Sequence, residues 1–308
     1  MDSIQSNQMK QIRTSRRRSA IKKHLVAYSF ILPNLLGFAA FTLVPMVFSL
    51  VLAFMNWDGA NVVTWAGLDN FIKLFQDETF RISLGNTFYY VIGTVPLTMI
   101  AALLLAMLLN QRLRGRNLFR TTFFIPYVAS LVAVAVVWNM LFSPSMGPVN
   151  QLLLSLGMEN PPRWSASVDW AMPTIIMASI WQGMGYYMLI YLAALQGIPY
   201  HLYEAAEIDG ANGWQKFRYI TLPLLTPATF FISMMLIIAC FKVFSLIWVM
   251  TGGGPGRATN VLVIHTFNVA FREFRFGYSS AIAMVLFMIV LTMTIIQFRM
   301  EKRWVSYM

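Results

Sequence analysis

The sequence predicts an all-α integral membrane protein of about six transmembrane helices, with both termini on the cytoplasmic side. Three observations predict it. Hydrophobic residues make up 58% and charged residues 11% of the 308 positions, against roughly a quarter charged in a soluble domain. The apolar residues are gathered into blocks of membrane-spanning length. Lys and Arg are also distributed unequally between alternate loops.

A helix crossing the hydrocarbon core needs roughly 20 apolar residues. Stretches without Asp, Glu, Lys or Arg cover 24–57, 82–111, 121–158, 170–203 and 276–298, and 219–256 is interrupted only by Lys242. They predict spans over 25–53, 86–110, 122–142, 171–195, 224–250 and 278–299. These runs are far longer than barrel strands, so helices must close the backbone hydrogen bonds. Residues 1–24 read as a basic cytoplasmic tail and 25–308 as the transmembrane domain. The tail leads into a long apolar run with no small-residue cleavage site, unlike a cleaved signal peptide.

Counting charge by side sets the orientation. Seven Lys/Arg precede residue 25; Arg112, Arg114, Arg116 and Arg120 follow the second span; Lys216 and Arg218 lie in 196–223; Arg299, Lys302 and Arg303 close the chain. The alternate loops hold only Lys73, Arg81, Arg163, Arg257, Arg272 and Arg275. Lys/Arg retained inside place both termini and loop 196–223 in the cytoplasm. The net charge of +11 therefore reflects topology and contact with lipid headgroups rather than nucleic acid. Prolines 33, 45, 96, 126 and 173 fall in or beside spans, as pathway-shaping kinks or as prolines the bilayer fold tolerates.

Enzyme chemistry finds no footing. Cys240 is the only cysteine, so it forms no internal disulfide and no thiolate metal site. His24, His201 and His265 are scattered and fit no HExxH spacing. No G-x-x-x-x-G-K-[ST] phosphate loop occurs; the glycines of 252–256 read as a turn. The chain is expected to carry no cofactor, metal or catalytic residue. Absence of Asp and Glu from the spans also argues against an ion-coupled secondary transporter.

Loop 196–223 is more than a connector. Pro199 suits a first helical turn, residues 200–208 favour helix, and Asp209-Gly210 with Asn212-Gly213 supplies stop and turn signals. A second short helix runs to Pro223. Ala205 and Ala206 allow another backbone to approach closely, beside the charges of Glu204 and Glu207. Each feature alone also suits an ordinary polar connector.

Together, Glu204, Ala205, Ala206, Asp209, Gly210, Ala211, Leu222 and Pro223 resemble the EAA signature of permease subunits of binding-protein-dependent ABC importers. The segments Gly67–Phe71, Asn86-Thr87, Arg114–Arg120 with Pro126, Leu195–Pro199, Thr251–Pro255 and Gly277–Ala281 are similar to the carbohydrate-uptake branch, closest to the maltodextrin type. The resemblance extends from about residue 25 onward and implies a type I ABC importer permease fold in a bacterial or archaeal inner or plasma membrane. It makes the loop around Glu204 the coupling helix for a cytoplasmic ATPase. It implies as partners a second permease, two ATPase subunits carrying ATP and magnesium, an extracytoplasmic solute-binding protein, and a carbohydrate cargo, an oligosaccharide. A phosphorylated polyol such as glycerol phosphate is the alternative cargo.

The resemblance implies sugar contacts in this stretch of the fourth span and the middle of the fifth, so the pathway candidates are Trp181, Gln182, Gly183 and Tyr186 of the fourth span and Lys242 and Ser245 of the fifth. Gln182 and Tyr186, four apart, share a helix face. Interface anchoring and interhelix packing are the other roles open to the Trp and Tyr. Lys242 is the charge deepest in a span and must face protein or a wet cavity, either lining the path or pairing with the partner permease.

Overall fold

The computed structural model describes residues 26, 28–111 and 114–304, with side chains as far as residue 301. The expected basic tail, His24, Arg112 and the side chains of Lys302 and Arg303 lie outside that description. Four helices are long and apolar enough to cross a bilayer: α1 (Tyr28–Leu52), α3 (Glu78–Asn110), α7 (Val168–Gly197) and α13, which begins at Phe276 and runs to Trp304. Two bent pairs bring the number to six if each counts as one span: α4 (Arg116–Val128) with α5 (Leu131–Leu141), and α9 (Gly213–Leu224) with α10 (Thr226–Phe241). Shorter helices connect them: α2 (Asp69–Gln76), α6 (Pro148–Ser155), α8 (Tyr200–Ile208), α11 (Ser245–Met250) and α12 (Leu262–Phe271). A two-residue ladder, β1 (Met55–Asn56) against β2 (Thr64–Trp65), is the only sheet among the described residues.

The core lies along the seam of α3 and α7, where Ala102, Ala106, Ile175, Ala178 and Met188 are fully buried. In lipid no hydrophobic force drives helices together, so small residues that permit close backbone approach mark such seams. Gly185 is the extreme case. A Cβ there would lie 1.8 Å from the Phe123 carbonyl oxygen of α4. By contrast α1 buries almost nothing against its own chain, leaving a face of Phe30, Phe41 and Phe48 for lipid or another subunit.

Two expected spans are not single straight helices. The 122–142 run bends by 100° between α4 and α5. Pro126 provides no amide for the Thr122 carbonyl, and the chain leaves helical geometry at Ala129 and Ser130, both extended in ψ. The 224–250 run is interrupted at 242–244, after α10 ends at Phe241; Lys242 sits in that break rather than mid-helix. Hydropathy reports the length of an apolar run, not its direction, so neither break shows in it. At the other end of α10, a 61° bend separates it from α9. There Pro227 has no N–H, and the Thr226 hydroxyl donates instead to the Pro223 carbonyl at 2.6 Å.

Two of the family-like motifs, Asn70 and Asn86-Thr87, are hydrogen-bonding devices at the end of the bundle opposite α8. Asn70 donates to the Ala53 and Met55 carbonyls, pinning β1. Asn86 donates to the Arg257 and Asn260 carbonyls, and the Thr87 hydroxyl accepts from the Leu262 amide at 2.9 Å. Asp77 caps α3 by accepting from the Thr79 and Phe80 amides. The same carboxylate accepts from the Tyr278 hydroxyl at 2.7 Å and lies 3.4 Å from His265 Nε2. Burial works to raise the Asp77 pKa, but the Tyr278 hydroxyl and the two amides outweigh it and hold it below the usual 3.8. Burial lowers His265 below its usual 6.5, more than the Asp77 carboxylate restores.

Both groups bind protons more weakly folded than unfolded. Their contribution to stability is complete above the ordinary pKa and is lost as pH falls from there through the lowered folded one. The melting temperature of the purified protein is therefore expected to fall between about pH 7.5 and 5.5, the window of the histidine. His265→Gln should flatten that part of the profile. A melting temperature that rises over the same interval contradicts the assignment.

Candidate functional site

A cavity of about 290 Å³ opens where α3, α4, α7 and the α10–α11 break meet. Tyr90, Thr94 and Thr98 of α3 are spaced four apart and so share one face; all three line it. From α7 come Ser179, Gln182, Gly183 and Tyr187, from the break Lys242 and Phe244, and from the helices flanking it Cys240 of α10 and Ser245 of α11. Tyr127 of α4 closes the wall. Its carbonyl accepts from Gln182 Nε2 at 3.4 Å and its ring stacks on Tyr186 at 4.3 Å, with 8° between the planes. The Ser179 hydroxyl donates to the Ile175 carbonyl, so the Tyr90 hydroxyl, 2.8 Å away, is the donor to Ser179. Aromatic faces with a few hydroxyls and one amide suit a polyhydroxylated solute, whose C–H faces lie on rings and whose hydroxyls need partners.

Of the pathway candidates, Gln182, Gly183, Lys242 and Ser245 line this cavity and Trp181 and Tyr186 do not. Trp181 faces outward and packs on Trp138 at 6.0 Å. Tyr186 acts at one remove by backing the Tyr127 ring. The sequence reading missed Tyr90, Thr94, Thr98, Tyr127 and Tyr187; the i, i+4, i+8 spacing of the first three in an apolar span was the available signal.

The second region is the loop at the other end of α7. Helix α8 ends in a Schellman turn: the Ala211 amide donates to the Ala206 carbonyl at 2.8 Å and the Gly210 amide to the Glu207 carbonyl at 3.0 Å. That turn requires a left-handed residue after the cap, and Gly210 has φ +75°. The Ala206…Asp209-Gly210-Ala211 spacing is thus the chemistry of one helix terminus. A reciprocal capping box of Asn212 and Gln215 opens α9, and Lys216 pairs with Glu207 at 2.6 Å. Leu202 and Tyr203 face the core, and the Tyr203 hydroxyl lies 2.9 Å from that of Thr221. Glu204, Ala205, Asp209 and Gly210 are exposed, Ala206 and Ala211 half-buried. Around them Tyr200, Ile208, Trp214 and Tyr219 are also exposed, Ile208 by 87%. Exposed apolar side chains of this kind occur where a protein meets another protein or a membrane.

Residues 94–306 match the family described as "Binding-protein-dependent transport system inner membrane component". The chain is 40% identical over 294 residues to the "Probable ABC transporter permease protein YesP" of Bacillus subtilis, covering 94% of each. It is 34% identical to the "Lactose transport system permease protein LacF" of Rhizobium radiobacter, over 91% of this chain and 96% of that one. Among solved structures it resembles a chain of a bacterial ABC transporter "involved in the import of the acidic polysaccharide alginate". The TM-score is 0.83 at 26% identity, over 94% of this chain and 100% of that chain. That kind of transporter is also solved in complex with an "alginate pentasaccharide-bound periplasmic protein", where the TM-score is 0.82 at 26% identity over 92% of this chain and 96% of that one.

Proposed function

The chain belongs to the binding-protein-dependent transport system inner membrane components, and from that membership we propose that it forms, with a second permease, the membrane pathway of an ATP-driven carbohydrate importer. Members of the family are multi-pass transport components rather than enzymes. An extracytoplasmic binding protein delivers an oligosaccharide to the outer end of the bundle. Two cytoplasmic ATPase subunits bind ATP and magnesium, and one of them docks on α8. Both termini and loop 196–223 lie in the cytoplasm, in keeping with the Lys/Arg asymmetry.

The observation that carries this reading is α8, a capped helix fixed to the body by Leu202 and Tyr203 and presenting Glu204, Ala205 and Ile208 outward. A rigid helix seated on an ATPase passes movement into α7 and α9, to which it is joined at both ends. The cavity lies along α7 from it, so closure of the ATPase dimer would reach the cargo through that helix. The cavity lining and the sugar-transporting relatives support a carbohydrate cargo.

The test is uptake by the purified complex in lipid vesicles with its binding protein outside and ATP inside. Accumulation of a sugar that stops when ATP is withheld is expected. Equal accumulation without ATP, driven by an ion gradient, contradicts the reading.

A further inference from the structure

We propose that the cargo is anionic, an acidic oligosaccharide whose carboxylate is met in the pathway by Lys242. The inference rests on the importer reading above and narrows its substrate class. The relatives leave the charge open, since one is named for lactose and another for an acidic polysaccharide; the cavity decides it.

Lys242 lies in the break between α10 and α11 and lines the cavity. Its ammonium has no hydrogen-bond or ion-pair partner among the described residues; only its backbone amide is engaged, by the Ala239 carbonyl. No Asp or Glu lines the cavity, and none occurs anywhere between Asp209 and Glu273. Lys242 is exposed on the single chain, and an ammonium within a membrane-crossing segment is kept where it serves a pathway or pairs with an opposite charge. No carboxylate of the described residues pairs with it.

The remainder of the wall fits the same cargo. Thr98 is 1% exposed and lines the cavity, and its hydroxyl has no hydrogen-bond partner among the described residues. Gln182 and Ser245 add an amide and a hydroxyl to the lining. Tyr127, backed by Tyr186, offers a ring face. Hydroxyls, an amide and an aromatic face serve the neutral part of a sugar; Lys242 alone answers a charge. A lysine ammonium is a compact charge on a flexible stem, suited to holding a carboxylate as the cargo moves past.

The test uses the whole complex with its own binding protein in vesicles. The probes are oligogalacturonate and alginate oligosaccharides, their carboxyl-reduced neutral twins, a maltodextrin and glycerol 3-phosphate. The wild type is expected to take up an acidic oligosaccharide and to take up its neutral twin more slowly. Lys242→Met should lower acidic uptake roughly ten- to a hundredfold, the range of a lost bond to a charged group, and abolish the preference for the acid. Lys242→Arg should retain it. The binding protein is identical in every preparation, so a change in the acid-to-neutral ratio belongs to the pathway. Size-exclusion elution of the whole complex at the wild-type volume confirms that the variants assemble.

ATP-driven uptake of the maltodextrin instead, or an acid-to-neutral ratio unchanged in Lys242→Met, overturns the proposal while leaving the importer standing. Uptake of glycerol 3-phosphate in place of the uronates overturns the carboxylate assignment. Uptake indifferent to ATP for every probe refutes the importer reading itself.

Discussion

Gly210→Pro is expected to reduce ATP-driven uptake at least tenfold while the complex still assembles and hydrolyses ATP. Gly210 has φ +75°, whereas proline is locked near −65°, so the Schellman turn cannot form around it. Two hydrogen bonds are lost with the turn, from the Gly210 and Ala211 amides, each worth about 0.5–1.5 kcal/mol. The loss falls at the end of α8 beside the exposed Glu204, Ala205 and Asp209, while the packed core of α3 and α7 is untouched. Hydrolysis without transport is the result that identifies α8 as the coupling element. Gly210→Ala is the graded control: a Cβ in left-handed geometry costs roughly 1–2 kcal/mol and meets no atom within 4 Å. Its effect should be small. Wild-type uptake by the proline variant would remove the coupling role from this helix.

Gly185→Val is expected to abolish transport for a different reason, by forcing α4 away from α7. The Cβ would sit 1.8 Å from the Phe123 carbonyl oxygen and 2.5 Å from its carbon, and a backbone cannot yield as a flexible side chain does. Overpacking typically costs about 1–3 kcal/mol, and a backbone clash belongs at or above the upper end. Because α4 also carries Tyr127, the cavity wall moves with it. Thermal melting in detergent should drop by several degrees, with uptake lost. Gly183, two residues earlier on the same helix, provides the contrast. A methyl there meets nothing closer than 3.6 Å, the Tyr187 ring, so Gly183→Ala should fold and melt like the wild type. Equal tolerance at the two positions contradicts the proposed packing.

What could be read from the sequence was whatever a bilayer or a helix terminus imposes on residue type. Apolar run length located the long helices α1, α3, α7 and α13, because unsatisfied backbone in lipid leaves no alternative. The Asp209-Gly210 stop signal was legible because a Schellman turn asks for glycine at one position. The 100° turn at Ala129 and the break at 242–244 were not, since tertiary packing sets them and the hydropathy of the flanking residues is unchanged across them. For the same reason Tyr127 escaped notice: it reaches the cavity only because α4 folds back on α7 at Gly185. Trp181 was drawn in by its neighbours Gln182 and Gly183, yet a 100° rotation per residue is enough to turn it outward onto Trp138. The exposed set Tyr200, Ile208, Trp214 and Tyr219 was hidden because apolar residues in a short helix read equally well as core.

The central claim, that α8 is the cytoplasmic contact through which ATP hydrolysis drives transport, is tested most directly by cross-linking from Ala205. Cys240 is the only natural cysteine and is 4% exposed, so Ala205→Cys introduces one accessible thiol. Coupled to a short photoreactive maleimide in the native membrane, it is expected to yield an adduct with the ATPase subunit, identified by mass spectrometry. The thiol should also resist impermeant maleimide added outside intact cells. Labelling from outside, or adducts only with lipid or the binding protein, would contradict both the orientation and the coupling.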